Sequence, residues 1–302
     1  MITRKYKKLP TIEGIKAGSA ATDVGTLSIK PGVRVSKVTF MFQDGTNTAG
    51  NEKDMLAMFG DITCFKNSTD FRLHTAAELD YLNSQNGTAY SYVKLGTGVN
   101  MKQYLTIWFF EPWRKGTADG ESQSLIVDAS QGWNKDGLQI QIKLLQAMPA
   151  SATLTATAYV DDFIANTKIQ QATKSVKRLQ ITASGSEVDY LSLPNVGKIQ
   201  GINLKNPTTG YVKSIIVKAG DDVYVEDADR EEMIAHLTGM GINPPLYAST
   251  GAGLFGYSWV FDDTDPINSA LSLDGRDPWM KIKFSQAAAG NVVALVESVG
   301  AI

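Results

Sequence analysis

Residues 212–241 read VKSIIVKAGDDVYVEDADREEMIAHLTGMG, and their order of features decides the fold. An apolar run from Ile215 to Val217 leads into a turn. A short alternating strand follows with Val223 and Val225, then an acidic cap and an amphipathic helix that stops at glycine. Residues 61–87, DITCFKNSTDFRLHTAAELDYLNSQNG, have the same order. There Ile62 to Phe65 form the first strand and Asn67-Ser68-Thr69 the turn. Phe71 and Leu73 mark the second strand, Thr75 and Glu78 form a capping box, and Leu79 and Leu82 give the helix an apolar face. Two copies of one strand–turn–strand–helix unit predict a duplicated domain.

The flanks extend the repeat. Leu191-Ser-Leu-Pro194 answers Leu27-Ser-Ile-Lys-Pro31, and Ile199, Ile202 and Leu204 answer Val35, Val38 and Phe40. The strand around Trp259 answers the one around Trp108, Met280, Ile282 and Phe284 answer Ile140, Ile142 and Leu144, and residues 292–299 answer the strand ending at Val160. The offset between partners falls along the chain, from 164 at Val38/Ile202 through 152 at Phe71/Val223 and 151 at Trp108/Trp259 to 140 at Ile142/Ile282. The first half is therefore longer in two places, 41–60 and 111–137, and both read as polar loops. A chance alignment would scatter its gaps through strands.

Each half holds about eight short strands with Gly, Pro and Asn turns and one helix inserted midway. Eight strands in two Greek keys make a jelly roll, two facing sheets around one core. An up-and-down barrel and an immunoglobulin-like sandwich compete, but the sandwich has no reason to insert a helix there. The predicted fold is mainly β, with two tandem eight-stranded jelly-roll sandwiches. The expected boundaries are a basic arm over 1–12, a first roll over 13–163, a linker over 164–177 and a second roll over 178–302. Thr75 and Asp227 are the expected helix N-caps.

Bulk composition narrows the function classes. The chain has 302 residues, 43% apolar and 20% charged, which is enough for two ordinary domains with real cores. A formal net charge of −2 gives no global electrostatic case for nucleic acid. One cysteine, Cys64 in an apolar strand, excludes an intramolecular disulfide and reads as a small buried hydrophobe. No apolar run approaches a membrane span, and the start, MITRKYKKLP, lacks an apolar segment behind its charges. A soluble protein folded in a reducing cytoplasm is the expectation.

No constellation for catalysis emerges. His74 and His236 occupy different positions in the two copies and have no neighbours that would complete a triad or a metal pair. The acidic pairs 161–162, 221–222 and 231–232 sit at turns or helix starts, where solvated charge is the default. Asp262, Asp263 and Asp265 lack the spacing of a calcium loop. Gly251, Gly253 and Gly256 match a dinucleotide pattern by letter, but a strand follows where that fingerprint needs a helix. No cofactor is expected. Trp108 and Trp259 read as core. Trp113 and Trp133 flank the long loop of the first half, where an exposed pair could stack on sugar or fill a subunit interface. Arg4, Lys5, Lys7 and Lys8 make the N-terminus either a solubilising tail or an arm that touches a neighbour or an anionic surface.

Two tandem rolls, each with an inserted helix and preceded by a short basic arm, with strand signatures TLSIKPG, SIIVKAGDDV and WMKIKF, resemble the double jelly-roll major capsid proteins of tailless icosahedral, internal-membrane-containing phages of the corticovirus, tectivirus and finnlakevirus kinds. The resemblance spans the whole chain and rests on the ordered set, since each signature alone is unspecific. It implies a non-enzymatic structural protein, a homotrimeric pseudo-hexagonal capsomer, and neighbouring capsomers and a vertex (penton) protein as partners. It also implies contact with an internal membrane through the arm, no specific nucleic-acid recognition, and a place in the virion capsid after assembly from the host cytoplasm. A two-domain carbohydrate-binding protein and a jelly-roll glycosidase or amidase are the alternatives.

Overall fold

In the computed structural model the described residues are 4–44, 54–86, 102–109, 124–162, 173–194, 197–245, 251–261, 271 and 276–300. The chain divides into two compact units, one formed mainly by Met1–Ser84 and Thr88–Thr173, the other mainly by Lys174–Ala301.

The first unit contains β1 (Arg4–Lys8), β2 (Val24–Ile29), β3 (Val33–Asp44), α1 (Asp54–Met58), β4 (Phe59–Lys66), β5 (Thr69–Thr75), α2 (Ala76–Gln85), β6 (Lys102–Trp108), β7 (Leu125–Val127), β8 (Leu138–Leu144) and β9 (Ala152–Asp162). One of its sheets has the order β1-β9-β3-β6, with β7 added beside β3, and the other runs β5-β4-β8-β2. Apart from the β4–β5 hairpin, strands that pair are far apart in sequence, so each sheet is assembled from distant segments, as a jelly roll requires. Period-two alternation sends Leu27, Ile29, Ile62, Cys64, Ile140 and Ile142 inward from one sheet. They meet Val38, Phe40, Leu105, Ile107 and Ala158 from the other in a single core. Burial pushes the Cys64 thiol up to about 12, so it behaves as the expected apolar filler.

The second unit contains β10 (Thr173–Ser192), β11 (Lys198–Lys205), β12 (Val212–Ala219), β13 (Asp222–Asp229), α3 (Arg230–Gly239), β14 (Phe255–Val260) and β15 (Pro278–Gly300). It repeats the plan pairing for pairing. As β4 lies between β5 and β8, β12 lies between β13 and the first part of β15. As β3 lies between β6 and β9, β11 lies between β14 and the last part of β15. Even the β3–β7 contact has its counterpart, an isolated bridge from Ile199 to Leu271.

The units differ in how they reach this plan. β8 and β9 are separate strands, as expected, but residues 278–300 form one strand that serves both sheets. β10 likewise does alone what β1 and β2 do together. It runs alongside β15, with Ser175 Oγ 2.7 Å from Ser298 Oγ at one end and the Leu193 N–H donating to the Pro278 carbonyl at the other, 2.9 Å. Two expected boundaries shift accordingly. Residues 4–8 of the expected arm are the first strand of the first roll, with Leu9 and Ile12 already in its core. Residues 173–177 of the expected linker are already β10.

Local chemistry follows the sequence closely at the repeated motif. Both hairpins turn in two residues, Asn67-Ser68 at φ 50° and 71° in the first, and Gly220-Asp221 with Gly220 at φ 59° in the second. The first capping box is present, with the Thr75 N–H donating to Glu78 Oε2 at 2.8 Å and the Glu78 N–H to Thr75 Oγ1 at 3.2 Å. In the second unit the cap is Asp229, in a box with Glu232, not the expected Asp227. Asp227 still belongs to β13, in the left-handed region at φ 52°, where it accepts from Ser214 Oγ and Lys283 Nζ at 2.6 Å each. The strand runs two residues further than its apolar pattern shows because a bulge absorbs the extra length.

Candidate assembly surfaces

β1 is the outer strand of its sheet. Among the described residues it pairs only with β9, from Arg4 opposite Asp161 to Lys8 opposite Thr157. Tyr6, Lys7 and Lys8 are all exposed, Tyr6 at 63%, so both faces of this outer strand are open over residues 6–8. The basic residues are therefore held on a sheet edge rather than on a frayed tail.

Tyr6 starts a row that crosses the whole sheet. Tyr6 lies opposite Tyr159, Tyr159 opposite Lys37, and Lys37 opposite Trp108. The Lys37 ammonium sits 4.7 Å from the Trp108 ring centre and 6.0 Å from that of Tyr159, and burial lowers its pKa. This corrects the expectation that Trp108 is core. Its neighbour Ile107 faces inward opposite Val38, so Trp108 points outward, half-buried. In the second unit Trp259 stands opposite Ile202 and hence matches Ile107, one residue out of step with the sequence pairing. Trp259 is also only half-buried, stacked on His236 at 4.4 Å.

Next to this row each sheet carries a polar ladder. In the first unit it runs from Tyr6 OH to Thr157 Oγ1 at 2.7 Å, from Thr157 to the Thr39 carbonyl at 3.5 Å, and from Thr39 Oγ1 to Thr106 Oγ1 at 3.0 Å. Asn83 Nδ2 of α2 closes it on the Thr106 carbonyl at 2.8 Å. In the second unit the ladder is charged and buried. Lys174 Nζ pairs with Glu297 Oε2 at 2.5 Å, Glu297 Oε1 accepts from Asn203 Nδ2 at 2.9 Å, and Asn203 Oδ1 accepts from Ser258 Oγ at 2.6 Å.

The outer strand at the far edge of the second unit has the opposite character. β13 reads DVYVEDAD and, among the described residues, pairs only with β12. Asp222 pairs with Arg276 and Asp227 with Lys283, while Asp221 and Glu226 are exposed beside Val223 and Tyr224, 43% and 38% exposed. The adjacent strands carry Lys281, which bridges Glu187 at 2.9 Å and Asp189 at 2.7 Å.

The remaining sequence candidates fall as follows. Trp133 is not an exposed aromatic. It is 4% exposed, edge-on to Phe71 at 6.5 Å with the Lys66 ammonium over its ring, because the loop around it folds back onto the β4–β5 turn. Asn67 pins that fold, donating to the Gly132 carbonyl at 2.6 Å and accepting from the Asn134 N–H at 2.8 Å. Trp113, the loop 111–123 and the acidic cluster at 262–265 lie outside the described residues, as does the strand expected at 90–99. His74 is fully buried, and burial together with the Arg72 charge lowers its pKa to about 4, so it is neutral. His236 bonds the Val260 carbonyl through Nε2 at 2.7 Å. Gly256 leads into strand β14, and a Cβ there would lie 2.3 Å from Asn206 Oδ1, so close packing explains this glycine without a phosphate. Among the described residues, no group of three or more His, Cys, Asp or Glu could hold a metal ion, and no helix is long and apolar enough to cross a membrane.

Sequence reasoning missed Lys37 and Tyr159. Each lies at an outward position of a strand whose inward residues were identified, so alternation alone could have singled them out.

No protein-family model and no curated protein matches this sequence. Solved structures do. The major capsid protein P2 of bacteriophage PM2 is similar over 99% of this chain and 98% of its own, with a TM-score of 0.70 and 15% identity. PBCV-1 VP54, fitted into a reconstruction of the virophage Sputnik, is similar over 99% and 94%, with a TM-score of 0.63 and 9% identity. The STIV major capsid protein is similar over 99% and 97%, with a TM-score of 0.57 and 11% identity. At these identities the likeness is one of fold, and it extends over essentially the whole of each chain.

Proposed function

We propose that this chain is the major capsid protein of an icosahedral virion, a structural protein that assembles into pseudo-hexagonal homotrimeric capsomers. The observation that carries the reading is the duplicated strand order, matched end to end by proteins described as major capsid proteins. Two like rolls in one chain let three chains present six like domains around an axis, so threefold assembly can fill a sixfold position. Neighbouring capsomers and a vertex protein are then the partners, and the virion capsid is the location. The basic strand β1 is the segment that would meet a neighbouring copy or the phosphates of an internal membrane. The join between the rolls is then read within residues 164–172, with β1 counted in the first roll and β10 in the second.

Burial of Trp133 removes half of the aromatic pair on which a carbohydrate-binding reading relied. Native mass spectrometry of the full chain tests the proposal. A trimer at low and moderate salt, tiling into hexagonal arrays by negative-stain microscopy, is the expected result. A monomer under every salt condition overturns it.

A further inference from the structure

Among the described residues the two outer strands β1 and β13 are chemically complementary. β1 is RKYKK and β13 is DVYVEDAD, and each is the last strand of its sheet at that end. Both carry an exposed tyrosine, Tyr6 and Tyr224, among their charges. An edge strand normally presents a row of unpaired backbone groups, and charges and bulges keep it from pairing indiscriminately. β13 has both protections. Its register against β12 shifts twice, and Asp227 holds a left-handed bulge tied to Ser214 and Lys283. Continuous backbone addition is therefore disfavoured there, and what β13 offers is side chains. Asp222 and Asp227 are already paired within the unit, which leaves Asp221 and Glu226 as the outward carboxylates. On β1 the matching outward cations are Lys7 and Lys8.

We infer that the basic edge β1 of one copy docks against the acidic edge β13 of a second copy, through Lys7 and Lys8 on one side and Asp221 and Glu226 on the other, with Tyr6 and Tyr224 packed between them. This inference rests on the shell-protein reading and names the contact by which copies meet. The two surfaces differ, so the contact is head to tail. Charge complementarity of this kind mainly sets orientation and rejects wrong partners, while the tyrosines supply buried area.

The test uses the full chain in three forms: Lys7→Glu with Lys8→Glu, Asp221→Lys with Glu226→Lys, and all four changes together. All four positions are exposed, and thermal melts matching the parent check that the variants fold. Each one-sided reversal places like charges together and should raise the concentration for half-assembly by about tenfold or more. The fourfold exchange should restore assembly and reverse nothing else. One-sided variants that assemble like the parent overturn this contact while leaving the trimer intact. A folded fourfold variant that stays dissociated also overturns it. A parent chain that never assembles removes the shell reading itself, and this contact with it.

Discussion

The two units share a pairing scheme and almost none of its surface chemistry. On the outward face of the sheet β5-β4-β8-β2, cross-strand rows such as Thr26–Gln141–Thr63 and Ser28–Gln139–Phe65 are uncharged. At the position of the second unit that corresponds to Gln141, Lys281 lies between Glu187 and Asp189, while Lys283, the counterpart of Lys143, bonds Asp227. The polar ladders differ in the same sense, hydroxyl to hydroxyl in the first unit and Lys174–Glu297–Asn203 in the second. The inward positions, by contrast, are apolar in both, with Ile62 and Ile142 in the first matched by Ile215 and Ile282 in the second, all fully buried. Core burial thus holds the plan, since an apolar side chain in either sheet contributes about 1.5–3 kcal/mol wherever it lies on the strand. Outward residues are free to diverge until a neighbour constrains them.

The largest expected contrast is in the ladders. Glu297→Ala removes the carboxylate that pairs with Lys174 and accepts from Asn203, and should destabilise the second unit by roughly 3–5 kcal/mol, whereas Thr39→Val in the first should cost about 1 kcal/mol. Urea unfolding monitored with a probe in each unit reads both, and equal losses would erase the distinction. Next come the matched core positions. Ile142→Ala and Ile282→Ala should each cost roughly 2–5 kcal/mol, with the two values close to each other. A large inequality would show that one unit merely leans on the other for its stability.

Acid should separate the units further. His74 is buried neutral with a folded pKa of about 4 against an ordinary 6.5, and its register partner in the second unit is Ala228. The unfolded chain therefore binds the extra proton first as pH falls. The stability this confers is complete above about 6.5 and drains away as pH drops toward 4, by about 3 kcal/mol in all. His74→Leu should flatten that slope between pH 6.5 and 5, and an unchanged slope in the variant would assign it elsewhere. The smallest effect expected is that of salt. Raising NaCl to about 1 M should weaken the exposed pairs of the second unit by less than about 1 kcal/mol and leave the first unit's uncharged rows untouched, read as a shift in the melting midpoint.

Much of this architecture is legible in the chain itself, for reasons tied to particular residues. Alternation at Leu138, Ile140, Ile142 and Leu144 marks a half-buried strand because side chains on a strand switch faces at every step. Thr75 and Glu78 mark a helix start because their side chains bond the free N–H groups of its first turn. What could not be read was continuity and facing. Residues 285–291 break the apolar alternation, yet β15 runs through them, since backbone pairing with its neighbours does not require apolar side chains. The aromatics misled for a related reason. Trp108 and Trp133 have the same hydrophobicity in either setting, and only strand register turned one outward and a folded-back loop turned the other inward. At the candidate surfaces the sequence showed the basic residues Lys7 and Lys8 and the acidic pair Asp221 and Asp222, while the pairings that make β13 a sheet edge and set Lys37 between Tyr159 and Trp108 join residues far apart in the chain.

The sequence by itself determined the duplication, the β class, the two helix positions and the inward residues of most strands, because these depend on local periodicity and capping that neighbouring residues encode together. Tertiary structure decided which strands join into one, which strands end as sheet edges, and which charges those edges expose. Pairing across a jelly roll links residues far apart in the chain, and no short-range pattern specifies it.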